Sequence, residues 1–240
     1  MNDLLKAIQG GLIVSCQALP QEPLHGSEFM AAMAVAAETG GAVGLRANGV
    51  QDICAIKRVS KLPIIGIYKQ EYPGYNVFIT PTTVEVDAVM NAGADMIAVD
   101  ATCLPRPDGL SLAQFIQAIR THHNTLIMGD VSTLEEGKAA ADAGVDLVST
   151  TLSGYTPHTK FSTGPDFLLL QELVHALSIP VIAEGRIAKP EECMHAFHLG
   201  AFAVVVGSAI TRPQEITRRF VEATIRWQER LEHGHACSGS

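Results

Sequence analysis

Eight short β-rich apolar runs, separated by helix-length segments, constrain this chain more than any other feature. The runs cover residues 12–16, 42–46, 63–68, 96–100, 125–130, 146–151, 180–184 and 203–207. Successive runs begin about 20–35 residues apart, which leaves room for one crossover helix in each interval, as βαβ units require. The runs lack polar alternation, the pattern of parallel strands buried on both faces. Gly93, Gly144 and Gly200 each close a helical segment just before an apolar run, where a left-handed residue ends a helix. Thr82 and Ser111 stand as caps before 84–91 and 112–119, and Ser132 with Glu135 reads as a capping box. Eight units in about 210 residues, with no linker, predict an α/β chain folded as one (β/α)8 TIM barrel of the phosphate-binding type. The barrel is expected over 1–232, with an extra N-terminal helix at 3–9 plugging its floor and a disordered polar tail at 233–240. A doubly wound sheet would suit the same local pattern but carries a dinucleotide fingerprint after its first strand. Ser15-Cys16-Gln17-Ala18-Leu19-Pro20 is not one.

Composition narrows the function classes. The 240 residues carry 17 Lys+Arg against 25 Asp+Glu, a net charge of −8 that repels a phosphate backbone and argues against a nucleic-acid partner. No apolar run reaches the roughly 18 residues of a spanning helix, so no membrane partner is expected. The five cysteines are odd in number and lack a C-x-x-C, as reduced thiols do, and a cytoplasmic location follows as the expectation. Ile13-Val14-Ser15-Cys16 has the look of a lipoprotein cleavage site. The short apolar stretch before it and the upstream Asp3 favour an internal strand.

Barrel chemistry sits where strands end, at the C-terminal mouth. Those ends are Gln17, Arg46, Lys69, Asp100, Asp130, Thr150/Thr151, Glu184 and Gly207. Five of the eight are charged in a chain that is only 18% charged, so the set is enriched beyond an ordinary solvated rim. Metal chemistry fits poorly. Asp100, Asp130 and Glu184 could attract Mg²⁺, but Arg46 and Lys69 oppose a cation and no histidine ends a strand. Cys193, His195 and His198 read as one face of a surface helix. No metal and no cofactor are expected. Cys16 has no histidine neighbour and reads as a structural thiol. The glycines of Gly185-Arg186 and Gly207-Ser208, with Arg212 beyond, suit backbone donation to a phosphate in loops seven and eight.

Strands three and seven lie opposite each other in an eight-stranded barrel, so Lys69 and Glu184 face across the mouth. One group can take a proton beside a carbonyl and the other return one to the opposite face, inverting that carbon. Arg46 and Gln17 would stabilise the enolate, and Arg46 would lower the Lys69 pKa. Three readings stand beside this one: a cross-barrel salt bridge, a Schiff-base aldolase using Lys69, and a sugar-phosphate-binding barrel without turnover.

Gly11-Leu-Ile-Val-Ser-Cys-Gln17, Pro63-Ile-Ile-Gly-Ile-Tyr-Lys69, Thr150-Thr-Leu-Ser-Gly-Tyr-Thr156, Val181-Ile-Ala-Glu-Gly-Arg186 and Val206-Gly-Ser-Ala-Ile-Thr-Arg212 resemble the bacterial N-acylglucosamine-6-phosphate 2-epimerases. The likeness runs in order from about residue 11 to 213. It implies a metal-free phosphate-binding barrel that converts N-acetylmannosamine 6-phosphate to N-acetylglucosamine 6-phosphate in sialic acid breakdown. By the same resemblance Lys69 and Glu184 are the acid/base pair, and Gln17, Arg46, Asp130 and Arg212 hold the sugar or shape its site. Gly185, Arg186, Gly207 and Ser208 would hold the phosphate, and the partner would be a small amino sugar phosphate. Tyr72-Pro-Gly-Tyr-Asn76 and the tail beyond about residue 230 have no counterpart in the pattern, and no kinase domain follows. The sequence leaves open whether the chain forms a homo-oligomer.

Overall fold

The computed structural model describes residues 2–236. Eight parallel strands close into a barrel in sequence order: β1 (Leu12–Cys16), β2 (Gly44–Asn48), β3 (Ile64–Ile67), β4 (Met96–Asp100), β5 (Leu126–Asp130), β6 (Leu147–Ser149), β7 (Val181–Glu184) and β8 (Ala203–Val206). β8 pairs with β1 and completes the ring, Ile13 lying beside Val205. The helices are α1 (Asp3–Ile8), α2 (Ser27–Thr39), α3 (Gly49–Lys57), α4 (Thr83–Asn91), α5 (Leu112–His122), α6 (Leu134–Asp142), α7 (Phe167–Ala176), α8 (Pro190–His198), α9 (Ser208–Thr211) and α10 (Pro213–Ala236). Among the described residues no helix is long and apolar enough to cross a membrane.

Side chains alternate across each strand, so the barrel divides its apolar residues into two clusters. Inward residues such as Ile65, Met96, Met128, Leu147 and Ile182 fill the interior together with Leu5 and Ile8 of α1. That contact places α1 as the expected floor plug, and Gly10 N–H donates to Phe202 C=O to fasten it. Outward residues such as Val14, Leu45, Ile97 and Val148 pack against the helices. Both faces are therefore apolar, which is why the strands read as unbroken runs.

Three expectations change at residue level. β2 runs over Gly44–Asn48 instead of 42–46, because Gly41 at φ +91 delays entry and pairing continues to Ala47 with β1 and to Asn48 with β3. β6 stops at Ser149, and Thr150–Leu152 turns as a 3-10 segment instead of extending the strand. The capping box lies one residue later than expected, on Thr133 and Glu136. Glu136 is the carboxylate that also takes Ser132 N–H and Ser132 Oγ–H, so Ser132 joins the cap without being it. Thr82 with Glu85 and Ser111 with Gln114 form full boxes. Of the tail expected to be disordered over 233–240, residues 233–236 continue α10 and the rest lie outside the described residues.

Helices α3 and α4 pack so closely on β3 that Gly66 has no room for a side chain. A Cβ there would stand 2.4 Å from Val89 Cγ1 and 2.7 Å from Ala94 Cβ. Gly66→Ala should cost about 1–3 kcal/mol, as overpacking does, and lower the urea midpoint. Gly164→Ala, with nothing within 4 Å of its Cβ, should leave it in place. Equal midpoints for the two variants would contradict this packing.

Candidate active site

The inward alternation that fills the barrel with apolar side chains carries polar ones to its mouth. Ala98 is followed by Asp100, Met128 by Asp130 and Ile182 by Glu184, each two residues further along the same face. β2 brings in Arg46, which is the strand's middle residue and only 1% exposed. Its Nη2 lies 2.5 Å from Asp130 Oδ2 and its Nη1 lies 2.7 Å from Glu184 Oε2, with Asp130 Oδ1 at 3.1 Å. The Thr151 hydroxyl stands 2.9 Å from Asp130 Oδ1 and 3.0 Å from Glu184 Oε2, so it donates to one carboxylate at a time. Thr150 Oγ accepts from Glu184 N–H and donates to Glu184 C=O, latching the end of β7 to β6.

Glu184 is thereby held through Oε2, while no hydrogen bond to Oε1 occurs among the described residues. Glu184 and Lys69 line one cavity of about 200 Å³. Asn48 fixes the lysine backbone, its Oδ1 accepting from Lys69 N–H at 2.8 Å. Burial and the nearby Arg46 charge lower the Lys69 pKa to about 8, against the attraction of Glu184. Burial raises the Glu184 pKa, opposed by Arg46 and reinforced by Asp130. The base is thus brought down and the acid brought up, towards each other. For Arg46 burial opposes the charge, yet Asp130 and Glu184 outweigh it and keep the guanidinium protonated.

The expected residues divide into two groups. Gln17, Lys69, Glu184, Gly185, Arg186, Gly207, Ser208 and Arg212 all line the cavity. Arg46 and Asp130 do not: they stand behind Glu184 and hold it. Gln17 donates from Nε2 to Ser15 Oγ, and its Oε1 is buried without a partner among the described residues, an acceptor available to a ligand N–H or O–H. Gly185 at φ +112 adopts a conformation that favours glycine, which turns the chain at the cavity wall. Arg186 lines the cavity but donates through Nε to Gly164 C=O and through Nη1 to Ser153 C=O, so it pins the loop after β6. Asp100, raised to about 6 by burial, lines a separate cavity beside Tyr155. Cys16 is buried and its thiol is pushed up to about 12, unlike a nucleophile. His195 stacks edge-on against Phe167, and no metal-holding cluster of His, Cys, Asp and Glu occurs among the described residues. Asn48 was the contributor least visible in sequence, since its bond to Lys69 runs between strands, and Thr151 was visible only as a strand end without its two carboxylate partners.

Residues 30–226 match the family model for "Putative N-acetylmannosamine-6-phosphate epimerase". The chain belongs to the N-acetylmannosamine-6-phosphate epimerase family. A relative from Caldanaerobacter subterraneus subsp. tengcongensis, named for the 2-epimerase, is 53% identical over 91% of this chain and 93% of its own. One from Enterobacter sp. is 50% identical over 93% of this chain and 96% of its own. The solved N-acetylmannosamine-6-phosphate 2-epimerase from Clostridium perfringens is similar with a TM-score of 0.89 and 53% identity, covering 92% of this chain and 96% of that one. The thiamine phosphate pyrophosphorylase from Pyrococcus furiosus, at 18% identity and a TM-score of 0.57, shares the barrel fold alone.

The family's site here depends on Arg46 to neutralise two buried carboxylates. Arg46→Met should cost about 3–5 kcal/mol, as does removal of one partner of a buried ion pair. Without the arginine, Glu184 loses the charge that opposes its burial and titrates higher in the folded than in the unfolded chain. A raised folded pKa stabilises below the unfolded value, about 4 for carboxylates, and that stability is lost as pH rises through the folded value. The deficit should therefore be smaller at about pH 5 than at pH 8. Urea unfolding of both proteins checks this, and a deficit independent of pH would contradict the charge assignment.

Proposed function

We propose that this chain interconverts N-acetylmannosamine 6-phosphate and N-acetylglucosamine 6-phosphate, by removing the C2 proton of the open-chain aldehyde and returning one to the opposite face. One observation carries the reading: Lys69 and Glu184, with pKa values displaced towards each other, share the wall of the cavity that the glycine loops enclose. Neutral Lys69 takes the proton of one epimer as the C2–H bond breaks, and the electron pair moves into the enolate of C1 and C2. Protonated Glu184 then supplies the new C2–H. The reverse direction begins with ammonium and carboxylate, so both epimers use the same total number of protons on the pair.

Phosphate binding is assigned to the backbone N–H groups at Gly185, Gly207 and Ser208 with the Arg212 guanidinium, and Arg186 holds the adjoining loop. Gln17 presents its free Oε1 to a sugar donor. Arg46 and Asp130 act through Glu184 and do not touch the sugar. Residues 1–232 are proposed to form a single barrel domain. The free thiols Cys16, Cys54, Cys103 and Cys193 support work in the cytoplasm, and amino-sugar breakdown is the proposed setting.

NMR of the reaction in D₂O tests the mechanism. Deuterium should enter C2 of the product, and the unphosphorylated sugar should turn over much more slowly because its anchor is missing. Lys69→Ala and Glu184→Gln should each lose at least about 100-fold in kcat, the scale of acid/base catalysis. Each variant is expected to retain exchange only of the epimer whose proton faces the surviving group. Near wild-type turnover in either variant, or product free of deuterium, would contradict the two-carrier mechanism.

A further inference from the structure

The loop between β1 and α2 meets the neighbouring segment after β8 at the barrel mouth, and a single carboxylate makes the contact. Glu22 Oε1 lies 3.0 Å from Arg212 Nε and accepts from Gln214 Nε2 at 3.0 Å. Its Oε2 accepts from Leu19 N–H at 2.7 Å, which closes the β1 loop around it. The Glu22 side chain is 13% exposed and that of Arg212 is 24% exposed, so solvent weakens the pair only in part. Arg212 lines the cavity beside Gly207 and Ser208. Its backbone C=O accepts from Glu215 N–H and Ile216 N–H, which fixes where the side chain begins.

We propose that Glu22 is a positioning residue for substrate phosphate: by engaging Arg212 Nε it fixes the guanidinium plane and leaves the two terminal nitrogens for the anion. Glu22 Oε1 is paired with the Nε end of the Arg212 guanidinium as a salt bridge at 3.0 Å. Neither Nη atom of Arg212 has a hydrogen-bond partner among the described residues. Those two nitrogens form the fork that matches two phosphate oxygens. A long arginine held in place before binding loses less side-chain freedom when the anion arrives. Glu22 is poorly placed to act on the reacting carbon, since its oxygens are occupied by Arg212, Gln214 and Leu19. The same contact ties the loop that carries Gln17 to the phosphate end of the cavity, so anion binding and the sugar acceptor share one strap. This role rests on the phosphate assignment made above.

Isothermal titration with inorganic phosphate, together with kcat and KM for N-acetylmannosamine 6-phosphate, separates the two claims. The proteins to compare are wild type, Glu22→Ala, Glu22→Gln, Arg212→Ala and the Glu22→Ala/Arg212→Ala double variant. Arg212→Ala should weaken phosphate binding and raise KM. Glu22→Ala should do the same by up to about fivefold, the scale of a partly exposed ion pair, with kcat within about twofold. Glu22→Gln keeps an acceptor oxygen and should recover part of the loss. In the double variant Glu22→Ala should add nothing to Arg212→Ala, because its effect passes through that arginine. Additive losses, unchanged phosphate affinity in Glu22→Ala, or tighter binding in Glu22→Ala would overturn the proposal while leaving the phosphate assignment intact. Unchanged phosphate affinity in Arg212→Ala would overturn both. If Glu22→Ala fails to fold, the same cycle with Glu22→Gln decides, a partial loss supporting the proposal and an additive or absent one refuting it.

Discussion

A guanidinium buried at the mouth of the barrel is the constraint on which the site depends. Arg46 is 1% exposed, Asp130 is fully buried, and Glu184 is close behind them. Desolvating such groups is expensive, and their mutual attraction offsets the cost only when the geometry is good and the remaining donors are satisfied. The two-point contact of Arg46 with Asp130 meets that requirement, and Thr151 adds a donor between the carboxylates. Charge counting then limits the chemistry. Arg46 cancels Asp130, so Lys69 and Glu184 together are neutral with one titratable proton between them. Placed on either member, that proton prepares the pair for one direction of a proton transfer.

The barrel supplies this arrangement through period-two geometry. Apolar inward residues below and polar ones above come from the same strands, so whatever fixes the barrel register also fixes the site. Packing such as that around Gly66 is thereby connected to function, since a shift of β3 would carry Lys69 with it. The loops complete the division of labour. β7 and β8 are each followed by a glycine that lines the cavity, while the β1 loop meets Arg212 beside them. Phosphate binding at that end would place the carbon to be inverted nearer the centre of the mouth, between the groups that carry protons.

Much of this was legible in sequence because it is local. Apolar runs, glycine helix ends and the Thr82 and Ser111 caps depend on neighbours within a few residues, and the charged strand ends follow from alternation. The remainder depends on contacts between distant parts of the chain. Arg46 read as a strand-end ligand for the sugar or the enolate, but β2 extends past it, and its partners lie 84 and 138 residues away. Arg186, a phosphate ligand by resemblance, lines the cavity, and its Nε and Nη1 meet the carbonyls of a loop folded over from β6, contacts that the sequence does not show. Glu22 carries no motif, and only the closed barrel brings it to Arg212 and to Gln214, which lies 192 residues further along the chain. The capping box missed by one position because Ser132 and Thr133 are chemically alike and both contact Glu136.

The central claim is that Lys69 and Glu184 share one proton in a cluster neutralised by Arg46. The most direct test is an NMR titration of the free protein, following ¹³Cε of Lys69 and ¹³Cδ of Glu184. The account predicts a lysine step at about pH 8 and a glutamate step above the ordinary carboxylate range, each carbon also sensing the other's titration. A lysine that stays protonated beyond about pH 10, with Glu184 titrating as an ordinary carboxylate near 4, would be the signature of a plain salt bridge and would contradict the account.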